Sequence, residues 1–132
     1  MGVRMPSVAS TTIVTATLVA ATEAVVVTSP PLNIPFDFSL VLLAWYVEWL
    51  SGNVAGLTAF RIRRGTTTGG TQVNVNNTGI TTPAAAQHFI ASGFYVDTPG
   101  AVAEQQYSVT ATIPSASSSG TVDDVSLLIF VL

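Results

Sequence analysis

The chain has 132 residues, of which 48% are hydrophobic and 8% are charged, whereas an ordinary soluble domain carries about 25% charged residues. Hydroxyl residues are abundant, with 18 Thr and 12 Ser, while Lys and Cys are both absent. Seven acidic residues and four Arg give a formal net charge of −3, so the chain lacks the basic excess on which nucleic-acid binding depends. These totals exclude disulfides and thiolate metal sites, and we expect no nucleic-acid partner.

Two ranges describe the expected organisation of the chain. Residues 1–10 are predicted to form an N-terminal arm or tail, and residues 11–132 are long enough for a single domain with its own core. The longest uncharged apolar run extends from Phe38 to Val47 with Ser39 inside it, far short of the roughly 20 residues that a membrane-spanning helix needs. We therefore expect no association with a membrane.

β-Forming residues recur from one end of the chain to the other, separated by turn residues such as Gly, Pro, Asn and Ser. Eight or nine short strands at this spacing indicate an all-β protein, an antiparallel β-sandwich or a barrel. The predicted strands are Thr12–Val19, Glu23–Thr28, a shorter Leu32–Phe36, Ser39–Leu50, Leu57–Arg64, Thr71–Asn76, His88–Val96, Gln105–Ile113 and Val125–Leu132.

Two of these strands are apolar at nearly every position, in the segments Leu40–Val47 and Val125–Leu132. In a sandwich of two sheets, one face of each such strand needs a cover beyond the chain's own core, and a second subunit would supply it. The depletion of charge agrees, because charged residues are rare at the centre of interfaces. The alternative is a central strand with a few exposed apolar side chains, which is common. The predicted subunit-interface residues are Leu40, Leu42, Val125, Leu127, Ile129 and Val131.

Arg61, Arg63 and Arg64 form a basic cluster at the end of one predicted strand. One interpretation is contact with an acidic surface of a partner, or bidentate pairing with carboxylates such as Glu48 or Asp97. The other is a solvated strand face that protects a sheet edge.

Trp45 and Trp49 fall on one face of their strand, opposite Tyr46 and Glu48. Exposed indoles would stack on sugar rings, whereas the apolar residues around them favour packing in the core. If Glu48 lies within a buried strand it needs a partner, and an arginine is the natural one.

Residues with catalytic or metal-binding chemistry are few. His88 is the single histidine of the chain, and Asp123 and Asp124 lack the spacing of a calcium loop. A lone imidazole without thiolates or a clustered set of carboxylates does not predict a zinc site, and no nucleophile elbow accompanies it. The sequence therefore predicts no catalytic residue, no cofactor and no metal site, and a protein that is not an enzyme.

Three segments resemble the compact jelly rolls of the tumour-necrosis-factor and complement C1q type. They are the Pro30-Pro31 turn leading into Leu32–Phe36, the strand Tyr107–Ile113 and the apolar terminal strand Val125–Leu132. In size and in its Cys-free, Thr- and Ser-rich composition the chain is also similar to bacteriophage head-decoration, head-fibre and tail-fibre proteins. This resemblance implies a jelly-roll topology, a homotrimer and a place on the virion surface, with the major capsid protein or another virion protein as partner. The alternative is a carbohydrate-binding or adhesin-type β-sandwich module that uses Trp45 and Trp49.

Overall fold

The computed structural model of the chain describes residues 7–9, 16–18, 22–52, 54–74, 78–113 and 120–132. The regular elements in these residues are β-strands, and no described helix is long and apolar enough to cross a membrane. The strands are β1 Ser7–Ala9, β2 Ala16–Leu18, β3 Ala24–Thr28, β4 Leu32–Ile34, β5 Val41–Leu50, β6 Gly56–Arg64, β7 Thr78–Thr82, β8 His88–Asp97, β9 Val102–Gln105, β10 Tyr107–Thr112 and β11 Gly120–Val131.

Two antiparallel sheets contain nine of the described strands. Sheet A has the order β1-β11-β5-β8, with β2 pairing β11 on the same side as β1, and sheet B has the order β3-β10-β6-β7. The strands β4 and β9 form a separate two-stranded ribbon. β1 and β2 both pair with β11, and β6 and β7 form a hairpin within sheet B. Elsewhere, leaving the ribbon of β4 and β9 aside, successive strands alternate between sheets A and B, which produces the interleaved Greek keys of a jelly roll. The predicted all-β jelly-roll sandwich is therefore confirmed.

The core lies between the two sheets and is organised by β5. Every second residue of this strand, from Val41 to Trp49, is buried. Phe60 of sheet B packs against two of these residues, with ring centroids 5.5 Å from Trp45 and 4.8 Å from Trp49. Aromatic side chains bury a large apolar area and favour such tilted contacts, so this cluster is a major contribution to the adhesion of the two sheets.

The predicted strand Thr71–Asn76 is wrong over the residues that the structure describes. Gln72 forms an isolated bridge with Arg63, and Asn74 accepts a hydrogen bond from the Ile62 backbone through its side chain at 3.0 Å. β6 pairs with β10 on one side and with β7 on the other, and β7 begins where Asn and Gly predicted a turn. Gly79 fits within β7 because the Leu57 side chain fills the space that a Cβ would occupy. A Cβ at this position would lie 2.7 Å from Leu57.

Other strand boundaries also differ from the predicted ones. The predicted strand Gln105–Ile113 is divided at Gln106, so that β9 joins the ribbon and β10 joins sheet B. β11 begins at Gly120, five residues before the predicted Val125. Of the predicted N-terminal arm, Ser7–Ala9 pair with β11, and the other residues of 1–10 lie outside the described residues.

The close contact between β8 and β5 depends on Gly93. A Cβ at this position would lie 2.5 Å from Nε1 of Trp45, its partner across the ladder. We predict that Gly93→Ala lowers the free energy of unfolding by about 1–3 kcal/mol, because the core has no room for the added methyl group. Chemical denaturation measures the effect. Gly69→Ala is the matched control, since a Cβ there meets no atom closer than 3.7 Å; equal stability of the two variants would contradict the prediction.

Candidate functional site

The outer face of sheet A presents rows of paired side chains from β8, β5 and β11. Phe130 and Val96 both pair with Leu42, and in the next row Leu128 and Phe94 both pair with Ala44. The alternate residues of β5 and β11 point into the core, so these rows face outward. We call Leu42, Ala44, Phe94, Val96, Leu128 and Phe130 the apolar patch.

The apolar patch is open to solvent along β8, the edge strand of sheet A. Phe94 is 59% exposed and Val96 is 50% exposed. Leu40 and Leu132, which bond to each other through their backbones at 2.9 and 3.1 Å, extend the patch at one end and are also exposed. A long edge strand beside exposed apolar side chains is a surface that soluble proteins normally cover.

The predicted interface residues fall on different sides of the sandwich. Leu42 lies in the apolar patch and Leu40 lies at its end, so both are on the outward face where a subunit interface would form. Val125, Leu127 and Ile129 are instead fully buried in the chain's own core, and Val131 packs against that core. The residues of β11 that face outward are Leu128 and Phe130. Hydropathy did not distinguish the two sets because β11 is apolar on both faces.

Polar residues occupy the other end of the same face. Glu48 of β5 pairs with Asp124 of β11, and His88 begins β8 beside them. The Nδ1 atom of His88 lies 3.1 Å from Oδ2 of Asp123 and 3.9 Å from Oε1 of Glu48. Among the described residues, Glu48, His88 and Asp123 form a group with the composition of a metal-binding site. The sequence did not predict this group because its members come from three strands.

Tyr46 orients the carboxylate of Glu48. Its hydroxyl donates a hydrogen bond to Oε2 of Glu48 at 3.0 Å. This bond and the nearby negative charges of Glu48 and Asp124 raise the pKa of Tyr46 above its ordinary value. The arginine partner that we expected for Glu48 is not found in the described residues, where tyrosine and histidine take that place.

The basic cluster is paired within the chain on the outer face of sheet B. Arg63 binds Glu23 in a bidentate arrangement, with Nε–Oε1 and Nη2–Oε2 distances of 2.7 and 2.9 Å. Arg61 lies 4.0 Å from the same carboxylate and donates to Thr112 at 2.8 Å. Burial favours a raised pKa for Glu23, yet the hydrogen bonds from Arg63 and Thr110 and the arginine charges lower it below its ordinary value. These two arginines are thus engaged in intramolecular contacts.

Arg64 joins the two sheets through Asp97 at the end of β8. The guanidinium donates to Oδ2 and Oδ1 of Asp97 at 2.8 and 2.6 Å, and the hydroxyl of Tyr107 donates to Oδ2 at 2.9 Å. Burial favours a raised pKa for Asp97, but these hydrogen bonds and the Arg64 charge hold it below its ordinary value. The pKa of Tyr107 is raised by burial and by its bond to Asp97. The predicted pairing of an arginine with Asp97 is confirmed, and no arginine of the described residues is paired with Glu48.

Both tryptophans belong to the core. Trp45 is 3% exposed and Trp49 is not exposed at all. The interpretation of these indoles as a sugar-stacking surface is therefore wrong, and core packing is confirmed. The phase of β5 decides the matter, since Tyr46 and Glu48 are the residues that face outward.

No protein-family model matches the chain, and comparison with curated proteins gave no significant match. Among solved structures, the chain is similar to one described as the structure of infectious bursal disease virus Gx strain, with 16% sequence identity and a TM-score of 0.29. The match covers 98% of this chain and 41% of the other chain, so this chain spans less than half the length of that one. At this identity and TM-score, no conclusion about the function of the chain follows from the similarity.

The Arg64–Asp97–Tyr107 contact predicts a specific loss of stability in Asp97→Asn. Because the pKa of Asp97 is lowered in the folded chain, its contribution is complete above its ordinary pKa of about 3.9 and is lost as the pH falls through the folded value. We expect the variant to be less stable than the wild type by about 2 kcal/mol at pH 7, the usual scale for hydrogen bonds to a charged group. The difference should shrink as the pH falls below about 4.

Urea denaturation at several pH values measures this difference. Glu104→Gln is the control for the change of charge, because Glu104 is exposed on β9. A constant difference between Asp97→Asn and wild type from pH 7 to pH 3, or an equal loss of stability in Glu104→Gln, would contradict the assignment.

Proposed function

We propose that the chain is a non-enzymatic structural protein of a virion, a homotrimer that binds the outside of an assembled shell as a capsid-decoration or head-fibre component. The observation that carries the proposal is the apolar patch on the outer face of sheet A. Its exposed aromatic and aliphatic side chains lie along β8, the edge strand of sheet A among the described strands. Burying apolar surface stabilises an interface by about 25 cal/mol per Å² before the costs of association.

The occupant that we propose for the apolar patch is a second copy of this chain. No residue of the patch carries a charge, so an equally uncharged surface meets it without the desolvation of unpaired ions. With 8% charged residues, this chain has such a surface itself. The proposed interface consists of Leu42, Phe94, Val96, Leu128 and Phe130, with Leu40 at its margin.

The threefold stoichiometry and the virion setting rest on further support. Support for the trimer comes from the resemblance of the Pro30-Pro31 turn with Leu32–Phe36, the strand Tyr107–Ile113 and the terminal strand Val125–Leu132 to tumour-necrosis-factor and complement C1q jelly rolls. The jelly roll is a common architecture of viral capsid domains, although it also occurs in lectins and cupins, and a fold alone does not specify a function. The pairing of Arg61, Arg63 and Arg64 within the chain leaves an acidic, charge-poor protein suited to contact with other coat proteins.

The proposed mechanism is stabilisation by mass action. A protein that binds only the assembled lattice stabilises each site by RT ln(1 + [L]/Kd), about 2.7 kcal/mol at a free concentration of 100 Kd. The partner is the major capsid protein or another virion protein. No catalytic group is needed for this role.

The oligomeric state tests the proposed interface. Multi-angle light scattering at micromolar concentration should give three times the 13.7 kDa mass of one chain. Phe94→Glu should produce monomers, because it would bury an unpaired carboxylate in the centre of the patch. The control is Leu57→Glu, which introduces the same charge at an exposed apolar residue of sheet B and should remain trimeric. The proposed interface would be overturned if the wild type were monomeric, or if Phe94→Glu formed trimers whose subunits associate as tightly as those of the wild type.

The virion assignment needs a separate measurement. Quantitative mass spectrometry of particles purified from a culture that expresses the chain should find it at a fixed copy number per particle. Treatment of intact particles with a protease should cleave the chain or release it from the particle, since it lies outside the shell. Its absence from purified particles would contradict the virion role whatever the oligomeric state.

A further inference from the structure

Glu48, His88 and Asp123 bring two carboxylate oxygens and one imidazole nitrogen together at the polar end of the outer face of sheet A. One ligand atom from each residue lies within 4.8 Å of the other two. The shortest separation, 3.1 Å, joins Nδ1 of His88 to Oδ2 of Asp123. The residues lie on β5, β8 and β11, three adjacent strands of one sheet, so the backbone ladder holds their positions.

A β-bulge in β11 creates this arrangement. The register between β11 and β5 shifts between Val122 and Asp124. Val122 and Val125 are both fully buried, so the two aspartates between them both face away from the core. A bulge commonly redirects a side chain in this way. The result is that Asp123 lies beside His88 and Glu48, while every arginine of the described residues is paired with Glu23 or Asp97.

The oxygens of the two aspartates lack the partners that buried carboxylates require. Oδ2 of Asp123 and Oδ1 of Asp124 are buried and accept no hydrogen bond from the described residues. Nδ1 of His88 lies 3.1 Å from Oδ2 of Asp123 but forms no hydrogen bond with it. A buried acceptor without a donor costs about 1–3 kcal/mol, and more when it is charged. A cation bound at Oδ2 of Asp123 would remove that cost at this atom.

We infer that Glu48, His88 and Asp123 bind a divalent transition-metal ion of the zinc type. Zinc–nitrogen and zinc–oxygen distances of about 2.0–2.2 Å place neighbouring tetrahedral ligand atoms about 3.3 Å apart. The His88–Asp123 separation already matches this value. Glu48 Oε1 is 3.9 Å from Nδ1 and its ligand atom lies within 4.8 Å of that of Asp123, so a side-chain movement on the order of 1 Å would bring it to this spacing. The imidazole selects against Ca²⁺ and Mg²⁺, which prefer oxygen ligands.

Tyr46 acts as a positioning residue for this site. Its hydrogen bond to Oε2 of Glu48 leaves Oε1 as the oxygen that faces His88. Outer-shell hydrogen bonds of this kind orient the ligand, and their removal typically weakens metal affinity by 10–100-fold. The site requires no residue of another chain and does not depend on the proposed virion role.

Calorimetric titration of the metal-stripped, tag-free chain with Zn²⁺ tests the site. We expect one ion per chain, no comparable binding of Mg²⁺, and affinity at least tenfold lower in His88→Ala, Glu48→Gln and Asp123→Asn. Tyr46→Phe should weaken binding about tenfold. The control, Glu104→Gln, removes a carboxylate elsewhere on the surface and should bind Zn²⁺ as the wild type does. Melting of each variant without metal establishes that it is folded.

The single histidine permits a direct spectroscopic test of the ligand atom. Nitrogen NMR of the His88 imidazole should show a zinc-dependent shift of Nδ1, the atom that faces both carboxylates. Coordination through Nε2, zinc affinity that is unchanged in folded His88→Ala, or no binding below millimolar concentration would overturn the inference. These outcomes leave the trimer proposal unaffected, because Phe94 and the apolar patch lie at the other end of the sheet.

Discussion

The burial of every second side chain of β5 is the constraint on which the rest of the molecule depends. Trp45 and Trp49 pack on Phe60 between the sheets, so the phase of the strand is set by its largest residues. A slip by one residue would expose both indoles and bury Glu48. Once this phase is fixed, the ladder determines which residues of β8 and β11 share the outer face. The positions of the apolar patch and of the carboxylate–histidine group, which consists of Glu48, His88 and Asp123, both follow from the phase of β5.

The scarce charges of the chain are concentrated in two kinds of contact. Arg63 binds Glu23 across strands of sheet B, and Arg64 binds Asp97 across the gap between the sheets. These pairs are partly or largely buried and hydrogen-bonded, which distinguishes them from exposed ion pairs of little energetic value. The carboxylates of Glu48, Asp123 and Asp124, on the outer face of sheet A, have no arginine beside them in the described structure. Glu48 and Asp123 lie beside His88 instead, which distinguishes them chemically from the carboxylates that pair with arginine.

Sequence patterns predicted the architecture better than they predicted the site. Turn residues and β-branched residues located most strands, and the alternation in β5 correctly separated Trp45 from Tyr46. By contrast, β11 is apolar in both phases, so hydropathy assigned Leu127 and Ile129 to an interface when they belong to the core. The carboxylate–histidine group was beyond local patterns, since residues 48, 88 and 123 meet through strand pairing. β7 was missed because Asn77, Thr78 and Gly79 are typical turn residues. In the structure, the Leu57 side chain fills the space that a Cβ of Gly79 would occupy.

The bulge in β11 makes this strand two half-strands of opposite parity. Gly120 and Val122 point inward at even positions before the bulge, whereas Val125 and Ile129 point inward at odd positions after it. Removing one residue there would not merely shorten the strand. It would restore a regular alternation in which Val122 and Val125 still face the core, and it would remove one of the two adjacent aspartates that face outward. The one additional residue at the bulge therefore lets both halves of β11, whose apolar residues alternate in opposite phases, bury those residues in the same core.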